Sequence, residues 1–585
     1  MRFNDPIIDG PGDGSGGGYT GTDPVIGQGW KIDATADQIT FFTAPAAGAS
    51  NVVIKEFAAS ALTGTTGFAI GAWCTEYGYP SECEFFADRL WFSGTPTDPQ
   101  TIWGTQTGDY SNFGRTVPLV DTDAISITIN ARQVNAVTDM VPLDSFIIMT
   151  KGGEWKMTED DKGNISPGIG LKPQSFTGTS GLQCMVVGQT AIMVQEQGSR
   201  VYDIGYRFES DSYKPQDLSV WADHLMEGHT ILRMEWAPAP HKVVWFVRDD
   251  GVELGCTYMP DQEVIGWHRH DTGATTEGLT PDIIEDVVCL PGTAETEKYI
   301  LVKRTIGATT KRYIEQLGPM FIEDSKDWFY VDSGLTYDGR NAAATTVTLS
   351  GGTSWLESES LTLTASAALF VGVADVGDGF TITNGADSVR VEIIAYVSAT
   401  VVTVNSIGTV PAALRSTARA TWTLQRNSIS NLLHLEGRTV SVLTDGSVHP
   451  QCVVGANFNP GVIALNYPAG VVQVGLPYRA HLETLELNMP GAQVMRDTKK
   501  LIQSAGLLLR NSRGVKAGTR LDYLFDLSQR EFEDYGDPTV SLTGYARIDV
   551  SAEWGVNSGH MHIVSDDPLP CEILGLVTKF QASES

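Results

Sequence analysis

The stretch Val243-Val244-Trp245-Phe246-Val247-Arg248-Asp249-Asp250-Gly251-Val252-Glu253-Leu254 sets the pattern for the whole chain. A run of β-branched and aromatic residues meets a turn whose Gly supplies the positive φ of a tight hairpin, and a second run follows. Arg89-Leu90-Trp91-Phe92, Phe146-Ile147-Ile148-Met149, Ala191-Ile192-Met193-Val194 and Tyr299-Ile300-Leu301-Val302 repeat the first half of that unit. Lys151-Gly152-Gly153 before Glu154-Trp155-Lys156, and Gln197-Gly198 before Arg200-Val201-Tyr202, repeat the second. Centred on Trp91, Ile147, Met193, Phe246 and Leu301, the runs stand 56, 46, 53 and 55 residues apart. Hairpins at that spacing, with few helical periods between them, predict an all-β protein whose residues 31–330 form a β-propeller-like region of repeated hairpins. A series of β-sandwiches is the competing reading.

Working outward, residues 1–30 are rich in Gly, Asp and Pro and read as a flexible arm that cannot offset its ordering entropy by burial. Gly12-x-Gly14-x-x-Gly17 has the spelling of a dinucleotide loop, but Pro11 stands where a strand should end and no helical period follows. Residues 337–425 change composition toward Thr, Val, Ala and Ser, and alternate in Ser388-Val389-Arg390-Val391-Glu392-Ile393 and Thr400-Val401-Val402-Thr403-Val404. They read as an inserted small β-domain, with Gly377-Asp378-Gly379 as a turn suited to a contact module. Residues 426–480, with a hairpin across Leu443-Thr444-Asp445-Gly446, read as a small β-barrel-like domain. Residues 481–585 read as a C-terminal β region that could complete the propeller. Within it, Thr498 to Arg510 is read as strand because Gly506 and the turn Asn511-Ser512-Arg513-Gly514 weaken a helix.

At 585 residues the chain is long enough for several cores. It is 42% hydrophobic with 13 Trp, 18 Tyr and 21 Phe, which excludes an acidic disordered tail. Lys and Arg number 40 against 70 Asp and Glu, a formal charge of −30. Such a surface disfavours sequence-independent binding to phosphate, which draws on basic side chains, but it does not exclude a protein that DNA passes by, since a wall that repels phosphate lets the polymer slide. No secretory signal and no membrane span is expected; the most apolar region, Leu361 to Ala374, is broken by Thr and Ser. The seven cysteines, Cys74, Cys83, Cys184, Cys256, Cys289, Cys452 and Cys571, are scattered, without a Cys-x-x-Cys pair, and read as reduced structural thiols.

Known catalytic motifs are missing from the chain: no phosphate-loop lysine, His-Glu-x-x-His, Gly-x-Ser-x-Gly or EF-hand spacing occurs. Two His-x-His pairs, His268/His270 and His560/His562, could each put both rings on one face of a strand, yet neither has a third ligand at metal-site spacing. Asp121/Asp123, Asp160/Asp161 and Asp249/Asp250 could serve as a glycosidase pair, but among 70 acids adjacent pairs arise by chance, and Asp249/Asp250 is accounted for by its turn. Trp91, Trp103, Trp155, Trp221, Trp236, Trp245 and Trp267 could line a glycan groove; in strands they more often fill the core. No cofactor and no metal is expected.

The order of several segments along the chain is more specific than any of them alone. They are Gly78-Tyr79-Pro80; Phe85-Phe86-Ala87-Asp88-Arg89-Leu90-Trp91-Phe92-Ser93-Gly94-Thr95; Gln100-Thr101-Ile102-Trp103-Gly104; Gly108-Asp109-Tyr110-Ser111-Asn112-Phe113; Asp123-Ala124-Ile125; Gly152-Gly153-Glu154-Trp155; Asp217-Leu218-Ser219 with His224-Leu225; and Val264-Ile265-Gly266-Trp267-His268-Arg269-His270. After the insert come His434-Leu435-Glu436-Gly437-Arg438-Thr439-Val440, Asp445-Gly446, Val474-Gly475-Leu476-Pro477-Tyr478 and Asp567-Pro568-Leu569-Pro570. In this order they resemble the tail nozzle proteins of short-tailed bacteriophages (podoviruses), the tail tubular protein B family, over about residues 75–575 apart from much of 337–425. The resemblance implies a non-enzymatic virion protein at the distal end of the phage tail, made in the host bacterial cytoplasm. It implies propeller-containing subunits in a hexameric ring below tail adaptor ring proteins, carrying tail fibres or spikes, retaining the packaged genome and passing DNA through the lumen without sequence-specific binding. Asp88, Arg89, Leu90, Trp91, Trp103, Gly104, Gly266, Trp267, His268, His270, Leu435, Glu436 and Gly437 would be its structural signature. Members of that family often carry a longer region before the Gly-Tyr-Pro segment, a departure that bears on the blade number and on the platform contacts. A tail-associated polysaccharide depolymerase and a glycan-binding receptor protein are the alternatives.

Overall fold

A computed structural model describes strands at 29–33, 38–42 and 52–55, residue 73, and residues 77–582 apart from 132–133, 160–164, 169, 274–281, 308, 321, 457–458, 488–498, 529–539 and 551–558. The Gly-rich arm up to residue 28, Cys74, the Asp160/Asp161 pair and Thr498 lie outside the described residues. The protein is mostly β, a succession of small antiparallel sheets. It divides into two compact units, one of residues 1–236 and 259–267, the other of 237–258 and 268–585.

Three four-stranded meanders follow one another in the first unit. They are Glu82–Phe86, Arg89–Ser93, Thr101–Gly104 and Ile125–Thr128; Val137–Pro142, Phe146–Thr150, Gly153–Met157 and Leu171–Ser175; and Met185–Val187, Thr190–Val194, Val201–Arg207 and Ser212–Asp217. Side-chain alternation explains how they stack. In Phe146–Thr150 the even positions Phe146 and Ile148 pack with Trp91, Ile102 and Ile125 of the first meander. The odd positions Ile147 and Met149 pack with Ala191, Met193 and Ile204 of the third. A strand buried on both faces reads as a continuous apolar run, which is why these segments carry no polar break. Fully burying each such side chain contributes roughly 1.5–3 kcal/mol. Asp139 adds a polar tie, its carboxylate accepting from the Cys184 N–H at 2.5 Å, and burial raises its pKa.

In the second unit, Val243–Arg248 pairs with Glu253–Met259, and Ile283–Pro291, Thr296–Ile306 and Thr309–Gln316 form a further meander. Val243, Trp245 and Val247 share a core with Ile284, Val287 and Val302. All five sequence centres, Trp91, Ile147, Met193, Phe246 and Leu301, fall on strands.

Strands within residues 347–429, joined by Ile463–Ala469, build one seven-stranded sheet over a core of Val347, Leu363, Phe380, Val391, Val404 and Trp422. Strand Asp387–Ser398 turns Val389, Val391 and Ile393 inward, as its alternation requires. Strand Trp422–Ile429 runs through residue 425, pairing with Gly379–Asn384 on one side and Ile463–Ala469 on the other. The module enters and leaves through neighbouring chains: the Asn341 N–H donates to the Trp422 carbonyl at 2.9 Å and the Leu424 N–H to the Gly339 carbonyl at 2.8 Å. Asp378 is buried rather than displayed on a turn, held by Arg426 and the Asn427 N–H. Strand Asp332–Asp338 pairs with Val471–Leu476 beside the hairpin Thr439–Thr444/Ser447–Val453, whose turn residues Asp445 and Gly446 have φ of 48° and 85°.

The last hundred residues form two sheets around Ile502, Leu507, Val515, Ile548 and Ile563. Lys500–Ser512 is a strand, and the chain turns at Asn511 to Gly514 into Val515–Arg520 of the other sheet. Among the described residues no helix is long and apolar enough to cross a membrane.

Candidate functional site

The signature residues fall into three groups, each placed by strand geometry. In the first meander Ala87 and Asp88 form a turn with φ of 49° and 54°, and the Asp88 carbonyl accepts from the Gly108 N–H. That turn drives Arg89 inward. Its guanidinium, 1% exposed, donates to the carbonyls of Thr105 at 2.5 Å and of Asp123 and Asp121 at 2.7 Å each. Leu90 bonds through its N–H to Thr105 Oγ1. Trp91 is wholly buried, donates from Nε1 to the Phe86 carbonyl, and lies flat against Gly104, where a Cβ would stand 2.7 Å from the indole. Trp103 makes an edge contact with Trp73. Asp123, one of the suspected carboxylate pair, accepts from Thr116 and Val120, so that loop and guanidinium are joined through its backbone and side chain together.

The second group spans Gly266 to His270 on strand Val264–His270. Gly266 is open on its Cβ side. Trp267 donates from Nε1 to the Leu218 carbonyl at 2.8 Å, which brings two signature segments 49 residues apart into contact. His268 and His270 do share a face, with Nδ1 and Nε2 2.6 Å apart, and both rings stand edge-on to Trp245. His268 occupies the space that a side chain at Gly255 would fill. Beneath them Lys298 Nζ lies 3.2 Å from the Trp245 ring centroid and 2.6 Å from Glu253 Oε2, with Lys298 and Glu253 only 5% and 3% exposed. A cation so close to the rings opposes a second cation, so the pair is a poor metal site despite its spacing. Lys298 is closed off from solvent and works as an internal strut.

Burial, then the Lys298 charge, pushes His268 down to about 4, and the same causes lower His270, whose outer edge is exposed. An unfolded histidine titrates near about 6.5, so below that pH the unfolded chain takes up protons that the folded one refuses. The stability contributed by the neutral pair is complete above about pH 6.5 and is lost as the pH falls toward 4. We expect the urea midpoint to drop between pH 7 and pH 4.5, and to drop less in His268→Gln; identical pH profiles would remove these histidines as the cause.

The third group, Leu435 to Gly437, closes a short 3-10 turn. Leu435 is core, Glu436 accepts from the Gly461 N–H at 2.6 Å, and Gly437 has φ of 74°. Other signature residues play like parts. Glu154, fully buried, accepts from the Gly178 N–H and the Ser175 hydroxyl, and burial raises its pKa. Leu569 packs with Trp328 and Leu443.

The remaining candidates are also accounted for. Asp250 accepts from the Val252 N–H at 3.2 Å and pairs with Arg248, as a turn carboxylate does. Of the seven tryptophans weighed for a glycan groove, Trp91 and Trp245 are core, Trp103, Trp155, Trp236 and Trp267 are half-buried, and Trp221 is a correction to the core reading at 91% exposed. Cys83 is likewise exposed, while Cys184 and Cys256 are buried; Cys289, Cys452 and Cys571 lie between, all as free thiols. His562 meets partners the sequence did not suggest, His481 and Glu483. Their His-x-Glu spacing on one strand face was the available signal, but the third member lies about eighty residues away. Neither a scan of family models nor a search of curated proteins finds a match to this chain.

Proposed function

We propose that this chain is the distal tail nozzle of a short-tailed bacteriophage, a structural virion protein assembled as a hexameric ring that retains the packaged genome and forms the channel for DNA ejection. In this reading the successive meanders are blades of a β-propeller, adaptor ring proteins sit above the ring, and tail fibres or spikes attach to it. The observation that carries the reading is the stacking of consecutive antiparallel sheets through strands buried on both faces, such as Phe146–Thr150, at the spacing of propeller blades. The ordered signature segments support it from the same places, since Arg89, Glu154, Trp267 and Glu436 each secure a turn or a sheet junction and none is left presenting reactive groups to a cleft.

The charge suits a conduit. Six chains of −30 carry −180 before counterions, and any share of that facing the lumen repels phosphate and lets DNA slide. Electron microscopy of the purified protein and of intact particles, with rotational averaging, tests the reading. We expect a six-fold ring at the tail tip with an opening wider than a DNA duplex; monomers or closed trimers would reject it, and release of reducing ends from host polysaccharide would establish the depolymerase instead.

A further inference from the structure

The sheet of the C-terminal region runs in the order Ala480–Glu483, His562–Ser565, Val515–Arg520, Tyr523–Asp526, which leaves Ala480–Glu483 on its edge. The antiparallel register pairs Glu483 with His562 and His481 with Val564. Alternation puts His481 and Glu483 on one face, and His562 stands directly across from one and diagonally from the other. The side chains converge accordingly. His481 Nε2 lies 3.0 Å from His562 Nδ1, the rings are inclined by 26°, and Glu483 Oε2 lies 4.0 Å from His562 Nδ1. One donor atom from each of the three falls within 4.8 Å of the others.

We propose that His481, Glu483 and His562 form a binding site for a divalent cation of the zinc type, which clips the edge strand to the sheet. Two imidazoles and a carboxylate are borderline ligands of the kind that zinc and its first-row neighbours take in preference to magnesium or calcium. Donors at about 2.0–2.1 Å from a tetrahedral zinc lie roughly 3.3 Å apart, so the two ring nitrogens are already near ligand spacing and only the exposed Glu483 side chain has to swing in. Without an ion the two nitrogens can share a single bridging proton; an ion in the pocket between them serves both lone pairs and the carboxylate at once.

The frame behind the site is fixed. Met561 and Ile563, flanking His562, are core residues, and the Thr484 and Met561 segments exchange bonds in both directions, Thr484 N–H to the Met561 carbonyl and Met561 N–H to Thr484 Oγ1, each at 2.9 Å. His481 and Glu483 are exposed, which gives the ion an entry path and leaves a coordination position for water or for a group from another chain. The His268/His270 pair differs in two respects, having the Lys298 ammonium close by and no carboxylate grouped with it among the described residues.

The test is calorimetric titration of the full-length, chelator-treated protein with zinc chloride, with cobalt chloride and visible absorption as an independent readout of tetrahedral geometry. We expect one equivalent of zinc to bind at low micromolar affinity or better and to raise the thermal midpoint. His481→Gln, His562→Gln and, at an exposed position, Glu483→Gln should each weaken binding at least about tenfold. His268→Gln, on a different sheet, should bind as the unaltered protein does. Absence of binding, or full binding in both His481→Gln and His562→Gln, would overturn the site.

Discussion

Lys298→Met is expected to destabilise the folded protein by about 3–5 kcal/mol at pH 7, because it strands a buried carboxylate. Glu253 Oε2 is held by Lys298 Nζ at 2.6 Å, and Glu253 Oε1 has no hydrogen-bond partner among the described residues, so the ammonium is the compensation on which this carboxylate rests. Burial works against the charge on both members, raising Glu253 and lowering Lys298, while their mutual attraction opposes it. In the variant nothing opposes it, and Glu253 folds protonated. A carboxyl whose folded pKa lies above its unfolded value contributes stability that is present at low pH and lost as the pH rises, so the deficit of Lys298→Met should shrink from pH 7 to pH 4. Adding Glu253→Leu should restore most of the loss, since an apolar pair can replace a buried ion pair at little cost. Urea denaturation of the two single variants and the double variant checks this; a double variant no more stable than Lys298→Met would show that the strut does not act through its partner.

Arg89→Met is the second large effect, again about 3–5 kcal/mol, by a different route. Here a buried cation faces three carbonyls, of Thr105, Asp121 and Asp123, and its loss leaves each of them unpaired at about 1–3 kcal/mol apiece, partly relieved by water entering the loop. Arg89→Lys should recover only part of this, because an ammonium offers its donors from one point whereas the guanidinium spans the three acceptors with two nitrogens. The damage should be local before it is global. Hydrogen exchange should speed up first between residues 105 and 124, and unchanged protection there in a folded Arg89→Met protein would show that the loop is held by other means.

These two residues show what could be read from the chain directly and what could not. The turns were legible because their chemistry is local: Asp249-Asp250-Gly251 and Asp445-Gly446 announce hairpins in the residues that make them. The strand at Lys500–Ser512 was legible through the glycine in its middle. The centres of the first three meanders were legible because strands buried on both faces read as short apolar runs. Arg89 was legible as a motif letter, but not as the hub it is, since its acceptors are backbone carbonyls and backbone has no side-chain spelling. Lys298 and Glu253, 45 residues apart, carried no signal of having been buried together. Pairings across long excursions were the least visible. Asp332–Asp338 finds Val471–Leu476, and His481 finds His562, only once the intervening chain has folded. Trp221 misled because an aromatic residue near strands is usually packed, and this one stands on a loop.

The hydrogen bonds between Asn341 and Trp422 and between Leu424 and Gly339 give the protein a seam. The stretch between those two crossings does not hang on them alone, because Gly379–Asn384 pairs with Trp422–Ile429 and the Arg390 guanidinium donates to the Pro468 carbonyl across the same boundary. Such a seam makes the stretch between residues 341 and 422 a module welded to its carrier strand. Putting a different domain or a two-residue turn there would strip Trp422–Ile429 of its partner on one side and Arg426 of both its carboxylates, so the carrier would have to be rewritten with the module. Change in this module is therefore tied to change in residues 422–427, and the two must vary together.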